Sequence, residues 1–289
     1  MPPYDIMIIG HITRDTLEYR GKVTPFTGGA AYFSSFAAKR LNAKICVVTK
    51  LARKDFGVLD ELKREGIEVI AFSSPQTTSI ENVFESDDFD KRKARLIAQA
   101  DPFQIEDIPN VEAKIYYLAG LFVGEIPETL IEYLAGKGEV ALDMQAMLRS
   151  NEEASFAFED WPGKERYLPM TTYLKADSLE SEATTGIPDR EEAARRFHQW
   201  GAKEVMITHA SEVIVYDGEN ISRAPFNSEN LSGRTGRGDT CFVSYLAWRL
   251  HHDVDESVRF AAALTSIKME NPGPFSGTVD QVLTRMKTL

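Results

Sequence analysis

The feature that most constrains this chain is the alternation of short, near-continuous apolar runs with longer stretches of helical periodicity. Residues 5–9, 44–48, 114–118, 140–143, 173–175, 204–208 and 213–216 read as buried strands. A parallel strand covered on both faces carries apolar side chains at successive positions rather than at every second one. Between most of these runs lie helical patterns at 30–41, 55–65, 127–135, 190–200 and 239–250, with 255–270 and 279–287 closing the chain. Strand and helix in alternation predict an α/β fold, a three-layer sandwich in which helices cover both faces of a mostly parallel central sheet. Ligands of such sheets lie beyond the carboxyl ends of the strands, so the residues that follow each strand are the first candidates for function. A length of 289 residues suits one such domain over 1–289.

Two segments interrupt the alternation. Residues 12–27 are short and rich in turn formers, and 77–103 carry Thr78, Ile80, Asn82 and Phe84 at period two before a charged run over 87–93. Period two marks a half-exposed antiparallel strand rather than a core strand. Both segments leave the sheet at strand ends, so they read either as a small β lid over the crevice or as two unrelated surface loops.

Charge narrows the partners. Thirty-three Lys and Arg against 44 Asp and Glu leave a net charge of −11, which argues against a nucleic-acid backbone or an anionic membrane surface as partner. An anion bound here must therefore be held by local backbone dipoles and a few placed cations. The longest apolar stretches, 4–10 and 116–124, are too short to cross a bilayer. The opening MPPYDIMIIG lacks the cationic start of a signal peptide. Cys46 and Cys241 form neither a disulfide framework nor a zinc pattern. A cytoplasmic, soluble protein is expected.

The strongest chemical signal is Gly233-Arg-Thr-Gly-Arg-Gly-Asp-Thr240, which follows a polar loop and opens the apolar helix CFVSYLAWRL. Gly236 and Gly238 allow successive N–H groups to point inward, and with the positive end of the helix dipole they make an anion site. Asp239 beside that site is placed to take a proton from an attacking hydroxyl. On local spacing alone, a glycine turn followed by an Asp cap explains the same residues. Neither a P-loop nor a dinucleotide-binding fingerprint occurs, since Gly10-His-Ile-Thr-Arg-Asp15 after the first strand holds one glycine.

Gly236-Arg-Gly-Asp239, at this distance from the C-terminus, resembles the signature of the ribokinase (pfkB-type) carbohydrate kinases. Four further pieces fall in that family's order. These are Gly10–Asp15, Gly28-Gly29 before the helix ending Arg40-Leu41, Lys175-Ala-Asp177-Ser-Leu-Glu180 running to Gly186, and Ala261-Ala-Ala263 through Gly273. The resemblance implies a kinase that passes the γ-phosphoryl group of ATP to a hydroxyl of a small polyol. In it Asp239 is the base, and the N–H groups of Gly236, Arg237 and Gly238 form the anion hole. Asp15, Gly28, Gly29 and Phe33 contact the acceptor. Asp177, Glu180, Thr208 and Gly273 serve the nucleotide, and Glu180 acts on Mg²⁺ through water. It also implies closure of the lid over the substrate, and lid edges that pair between subunits would give a homodimer.

Several positions depart from the family. Gly233 and Arg234 replace its acidic residue and threonine, which puts its monovalent-cation site in doubt. Arg237 replaces a small residue, and its guanidinium either reaches a phosphate or faces solvent. Phe33 stands where sugar kinases carry Asn, and the 208–213 strand end lacks the glycines that approach a nucleotide. A narrower resemblance, to the myo-inositol-kinase-like branch, rests on Thr77–Phe84, Arg95, Ala100–Phe103, Glu125–Leu130 and Asp143–Arg149. It suggests a sugar or cyclitol acceptor surrounded by Asp15, Asn82, Arg95 and Gln145, with Asp143 either facing the crevice or capping a turn. A nucleoside acceptor stays open through Tyr32, Phe33 and Phe122, as does a catalytically silent binder, motivated by Arg234, Arg237 and the altered strand end. His251-His252 read as a helix end rather than a metal site. Cys241 reads as either a thiolate in the helix field or a packed side chain.

Overall fold

The computed structural model describes residues 3–84, 93–152 and 155–289; the charged run over 87–93 lies, except for Lys93, outside them. The strands are β1 (Tyr4–Ile9), β2 (Thr13–Tyr19), β3 (Lys22–Gly28), β4 (Ile45–Ala52), β5 (Glu68–Ser74), β6 (Ser79–Phe84), β7 (Lys93–Ala98), β8 (Ala113–Leu118), β9 (Glu139–Asp143), β10 (Arg149–Glu152), β11 (Ser155–Phe158), β12 (Tyr173–Asp177), β13 (Glu204–Thr208), β14 (Glu212–Tyr216) and β15 (Ile221–Pro225). The helices are α1 (Ala30–Arg40), α2 (Leu59–Arg64), α3 (Glu128–Ala135), α4 (Gln145–Leu148), α5 (Lys164–Tyr167), α6 (Ser178–Thr185), α7 (Arg190–Gln199), α8 (Arg237–Arg249), α9 (Val254–Met269) and α10 (Val279–Met286).

Nine strands form the central sheet in the order β15-β14-β13-β12-β9-β8-β1-β4-β5. From β13 to β5 every neighbouring pair is parallel, and β14 and β15 run antiparallel at one edge. Each buried strand divides its side chains between two cores. Ile6 and Ile8 of β1 join the layer with α1, α8 and α9, while Met7 and Ile9 join the layer with α3 and α7. That division is why the strand sequences show no polar alternation. β5 and β15, absent from the sequence reading, lie at the sheet edges and are half-exposed.

Residues from the two interrupting segments pair with each other in a second sheet, order β3-β2-β6-β7. It is mixed rather than purely antiparallel, because β2 and β6 run parallel. A short hairpin of β10 and β11, unforeseen from the sequence, lies beside β7. Among the described residues no helix is long and apolar enough to cross a membrane.

Candidate active site

The carboxyl ends of β12 and β13, the start of α8 and one face of the small sheet enclose a cavity of about 580 Å³. Strand pleating decides what the small sheet contributes. Asp15 and Leu17 of β2, Phe26 opposite Asp15 on β3, and Ile80 and Asn82 of β6 line the cavity. Glu81 lies on the opposite face, where it pairs with Arg95 at 2.6 Å. Arg95 is thereby removed from the acceptor contacts expected of it. Asp15 is buried, and its Oδ1 accepts the Ile80 N–H at 2.9 Å, which ties β2 to β6 beside the cavity.

Gly28 and Gly29 are glycines for steric reasons. A Cβ on Gly28 would stand 2.6 Å from Oδ2 of Asp15, and one on Gly29, whose φ is +97°, would stand 2.3 Å from the His11 carbonyl oxygen. The pair lets α1 begin directly against the loop after β1. Gly29 lines the cavity and Gly28 lies behind it, against Asp15.

At α8, Gly236 adopts the left-handed conformation at the N-cap, with φ 80°. Arg237 N–H donates to the Arg234 carbonyl at 3.3 Å, whereas among the described residues the N–H groups of Gly236, Gly238 and Asp239 have no partner. Of the three N–H groups expected to form an anion hole, that of Arg237 is thus engaged within the turn, and that of Asp239 is open beside the other two. These unpaired first-turn donors and the helix dipole suit a phosphoryl group. Phe33 supports the turn from below; a Cβ on Gly236 would meet its ring at 2.3 Å. Phe33 therefore belongs both to the core and to the cavity wall.

Asp239 lies on the wall, and its backbone oxygen accepts from Ser34 Oγ at 3.2 Å. Burial raises its carboxyl above the ordinary value, while Lys175, Arg149 and Lys268 oppose the shift. Lys175 is the organising cation. It is buried at the end of β12, with Nζ 3.1 Å from Asp143 Oδ1 and 3.6 Å from Glu180 Oε2. Burial acts against its charge, but Asp143 and Glu180 dominate and hold it firmly protonated. Asp143 thus caps the next turn, accepting from Gln145 N–H at 3.1 Å, while also holding Lys175. Lys175 and Arg149, which the sequence reading quoted without assigning, are brought to Asp239 only by the fold. Arg149 lies over the rings of Phe122 and Phe156, donates to Gln145 and faces the cavity.

Asp177 lines the cavity as the N-cap of α6, and Glu180 completes a capping box by accepting the Asp177 N–H at 2.7 Å. Glu180 is fully buried behind this wall, and burial pushes its carboxyl up to about 7 against the pull of Lys175. Its Oε1 and Asp143 Oδ2 are buried without a partner among the described residues. Among those residues no group of three or more His, Cys, Asp or Glu forms a preformed metal cage. Two unsatisfied carboxylate oxygens next to an anion site suit Mg²⁺, which arrives with phosphates and keeps its waters. Glu180 and Asp143 are the residues that would hold it through those oxygens, with Asp177 beside them on the cavity wall.

Thr208 reaches the cavity, but Gly273 is exposed in the turn after α9 and does not line it. Residues 208–213 close as a tight turn in which His209 Nδ1 meets Ser211 Oγ at 2.9 Å. Tyr32 points away and donates to Glu61 at 3.0 Å. Cys241 is buried, and burial pushes its thiol up to about 12, which settles it as a packed side chain. His252 pairs with Glu256 and stacks on Trp248.

The family model for pfkB carbohydrate kinases matches residues 4–280. The chain belongs to this family. A pyrophosphate-dependent kinase of the ribokinase family, solved with sulfate, is 37% identical, with 96% of this chain and 99% of that chain covered and a TM-score of 0.89. A pyrophosphate-dependent kinase of the family complexed with a pyrophosphate analogue and myo-inositol is 36% identical over the same shares, also with a TM-score of 0.89. The cytidine kinase of Thermococcus kodakarensis is 26% identical over 95% of this chain and 99% of its own length. The ribokinase-like α/β fold, the phosphotransferase class and an alcohol acceptor therefore stand.

Proposed function

We propose that this enzyme transfers a phosphoryl group from inorganic pyrophosphate to a hydroxyl of a cyclitol such as myo-inositol. The observation that carries the donor is the set of cations around the cavity: Arg234 and Arg237 at the α8 turn, Lys175 against Gly238, and Arg149, in a protein of net charge −11. Pyrophosphate concentrates its charge on two phosphorus centres and offers no base or ribose to hold. The parts expected to serve a nucleotide give ATP less support, since Gly273 lies off the cavity and 208–213 is a tight turn. The 36–37% identical pyrophosphate-dependent relatives point the same way.

In this reading Asp239 accepts the hydroxyl proton as the acceptor oxygen attacks phosphorus, and phosphate leaves. The N–H groups of Gly236, Gly238 and Asp239 hold the transferred group, and catalysis is chiefly positioning and charge neutralisation. Mg²⁺, when bound, neutralises the donor's charge. Asp15, Asn82 and Gln145 supply polar contacts to the acceptor, as several hydroxyls in one small cavity require. Closure of the small sheet over the acceptor, and pairing of its edges in a homodimer, belong to the same proposal.

A nucleoside acceptor with ATP as donor is the second reading, favoured by the rings of Phe26, Phe33 and Phe156 on the wall and by the cytidine kinase relative. The test is initial-rate kinetics with Mg²⁺ and either pyrophosphate or ATP, against inositols, hexoses, pentoses and nucleosides. Pyrophosphate with a cyclitol should give the highest kcat/KM. Turnover confined to ATP and nucleosides would reverse the assignment, and no turnover despite donor binding would leave a silent binder.

A further inference from the structure

Lys268 lies near the C-terminal end of α9 and is 2% exposed. A buried lysine demands an explanation, because removing an ammonium from water is costly unless its protons are bonded. Its Nζ donates to two backbone carbonyls, those of Gly233 and Thr235, and stands over the Phe33 ring at 5.1 Å. Asp239 is the charged group that acts on it; burial lowers its pKa to about 8 and the Asp239 carboxylate opposes that shift. The carbonyls belong to the loop that leads into the α8 turn. The ring is the one on which Gly236 rests.

The loop is fastened to α9 at this point and at its neighbours. Gly233 N–H donates to the Met269 carbonyl at 2.7 Å, and Ser232 Oγ donates to the Glu270 carbonyl at 2.7 Å. A Cβ on Gly233 would stand 1.7 Å from the Asn271 oxygen, so glycine is required for the approach. Both sides of the Gly233 residue are therefore held on one helix end, its N–H by Met269 and its carbonyl by Lys268.

We propose that Lys268 is a positioning residue whose ammonium acts as a built-in cation: by gathering the Gly233 and Thr235 carbonyls, it aims the peptide N–H groups of the following turn into the cavity. The proposal rests on the assignment of that turn as the donor site. Two converging carbonyl oxygens left without a charge would repel each other or recruit a soluble ion. With the lysine in place, the loop is set without one, and activity does not depend on added K⁺. Nothing in this role requires Lys268 to touch donor or acceptor.

The experiment removes the charge and supplies it from solution. Lys268→Ala opens room for an ion, and Lys268→Met keeps the apolar stem without opening it. Thermal midpoints are measured first, without donor or acceptor, in tetramethylammonium buffer and after addition of K⁺ or NH₄⁺. Lys268→Ala should gain stability on adding either ion, while wild type and Lys268→Met should not. With whichever donor supports turnover, kcat of Lys268→Ala should fall by about a hundredfold, the scale of a misplacement of about 1 Å. K⁺ or NH₄⁺ should recover much of it, with KM for the acceptor little changed. A wild-type enzyme activated by K⁺ would overturn the proposal, whatever the variants do. So would a folded Lys268→Ala that ignores both ions. The stability arm needs no turnover, so loss of the donor-site assignment is read separately, as absence of catalysis in wild type.

Discussion

Asp239, the base of the proposed reaction, has its carboxyl raised by burial against the pull of Lys175, Arg149 and Lys268, and its backbone oxygen accepts from Ser34 Oγ. Asp239→Asn should preserve the fold and donor binding while lowering kcat by about 10²–10⁴, the usual contribution of a positioned acid or base. Near-normal turnover would remove it from that role. Phe33 has two tasks, wall and support, and Phe33→Asn tests both. The acceptor profile should shift, and the thermal midpoint should fall as well, because the ring beneath Gly236 is lost. A changed profile with an unchanged midpoint would show that the turn stands without it. At this scale the sequence made legible those residues whose role is local. The Gly236–Asp239 turn, the Gly28-Gly29 pair and the Asp177–Glu180 capping box are all short motifs. The neighbours of Lys175, Arg149 and Lys268 were not legible, because each meets its partners only through distant strands and helices. Arg95 was misplaced because period two identifies a strand but not which face looks inward.

Between elements, the small sheet joins the body through a buried polar cluster. His11 Nδ1 meets Thr78 Oγ1 at 2.8 Å, His11 Nε2 meets the Asp101 carbonyl at 3.1 Å, and Glu125 accepts the N–H groups of His11 and Leu121. Thr78 Oγ1 also accepts Ala100 N–H at 3.0 Å, so one hydroxyl ties the start of β6 to the chain leaving β7. Thr78→Val should leave these buried groups unpaired, at about 1–3 kcal/mol for each unsatisfied one. Stability should drop, and kcat and acceptor KM should change together if closure of this sheet limits turnover. A destabilised variant with unaltered kinetics would separate this cluster from catalysis. At the other end, Arg285 of α10 holds Glu270 after α9 at 2.8 Å. Burial tends to raise Glu270, but the Arg285 and Glu229 N–H bonds win and its pKa is lowered. A lowered carboxyl contributes stability above its ordinary value of 4.5 and loses it as pH falls through the folded value. The wild-type midpoint should therefore fall on acidification below that range, and Arg285→Met should flatten the acid limb. An identical limb in both proteins would contradict the pairing. Interior elements were legible from apolar runs, whereas β15 and the β10–β11 hairpin lack such a run, and the four-residue run 69–72 of the half-exposed edge strand β5 is absent from the sequence reading.

For the molecule as a whole, an acidic chain gathers Arg149, Lys175, Arg234 and Arg237 with Asp15, Asp177 and Asp239 around a cavity at the carboxyl edge of its central sheet, to which a second sheet presents Asp15 and Asn82. The alternation of strands and helices made the layers and the active edge legible, and the signature turn gave the reaction class. Donor choice is where the two readings part: an ATP donor follows from the family pattern, while the proposed pyrophosphate donor rests on the arginines of the wall and the off-cavity Gly273. The measurement that tests this most directly is ³¹P NMR of the wild-type enzyme with Mg²⁺, pyrophosphate and myo-inositol, with Asp239→Asn in parallel. The account predicts that the pyrophosphate resonance is replaced by equal amounts of a phosphomonoester and inorganic phosphate, and that the variant leaves it unchanged. Persistence of pyrophosphate in the wild type, with a phosphomonoester forming only when ATP is supplied, would contradict it.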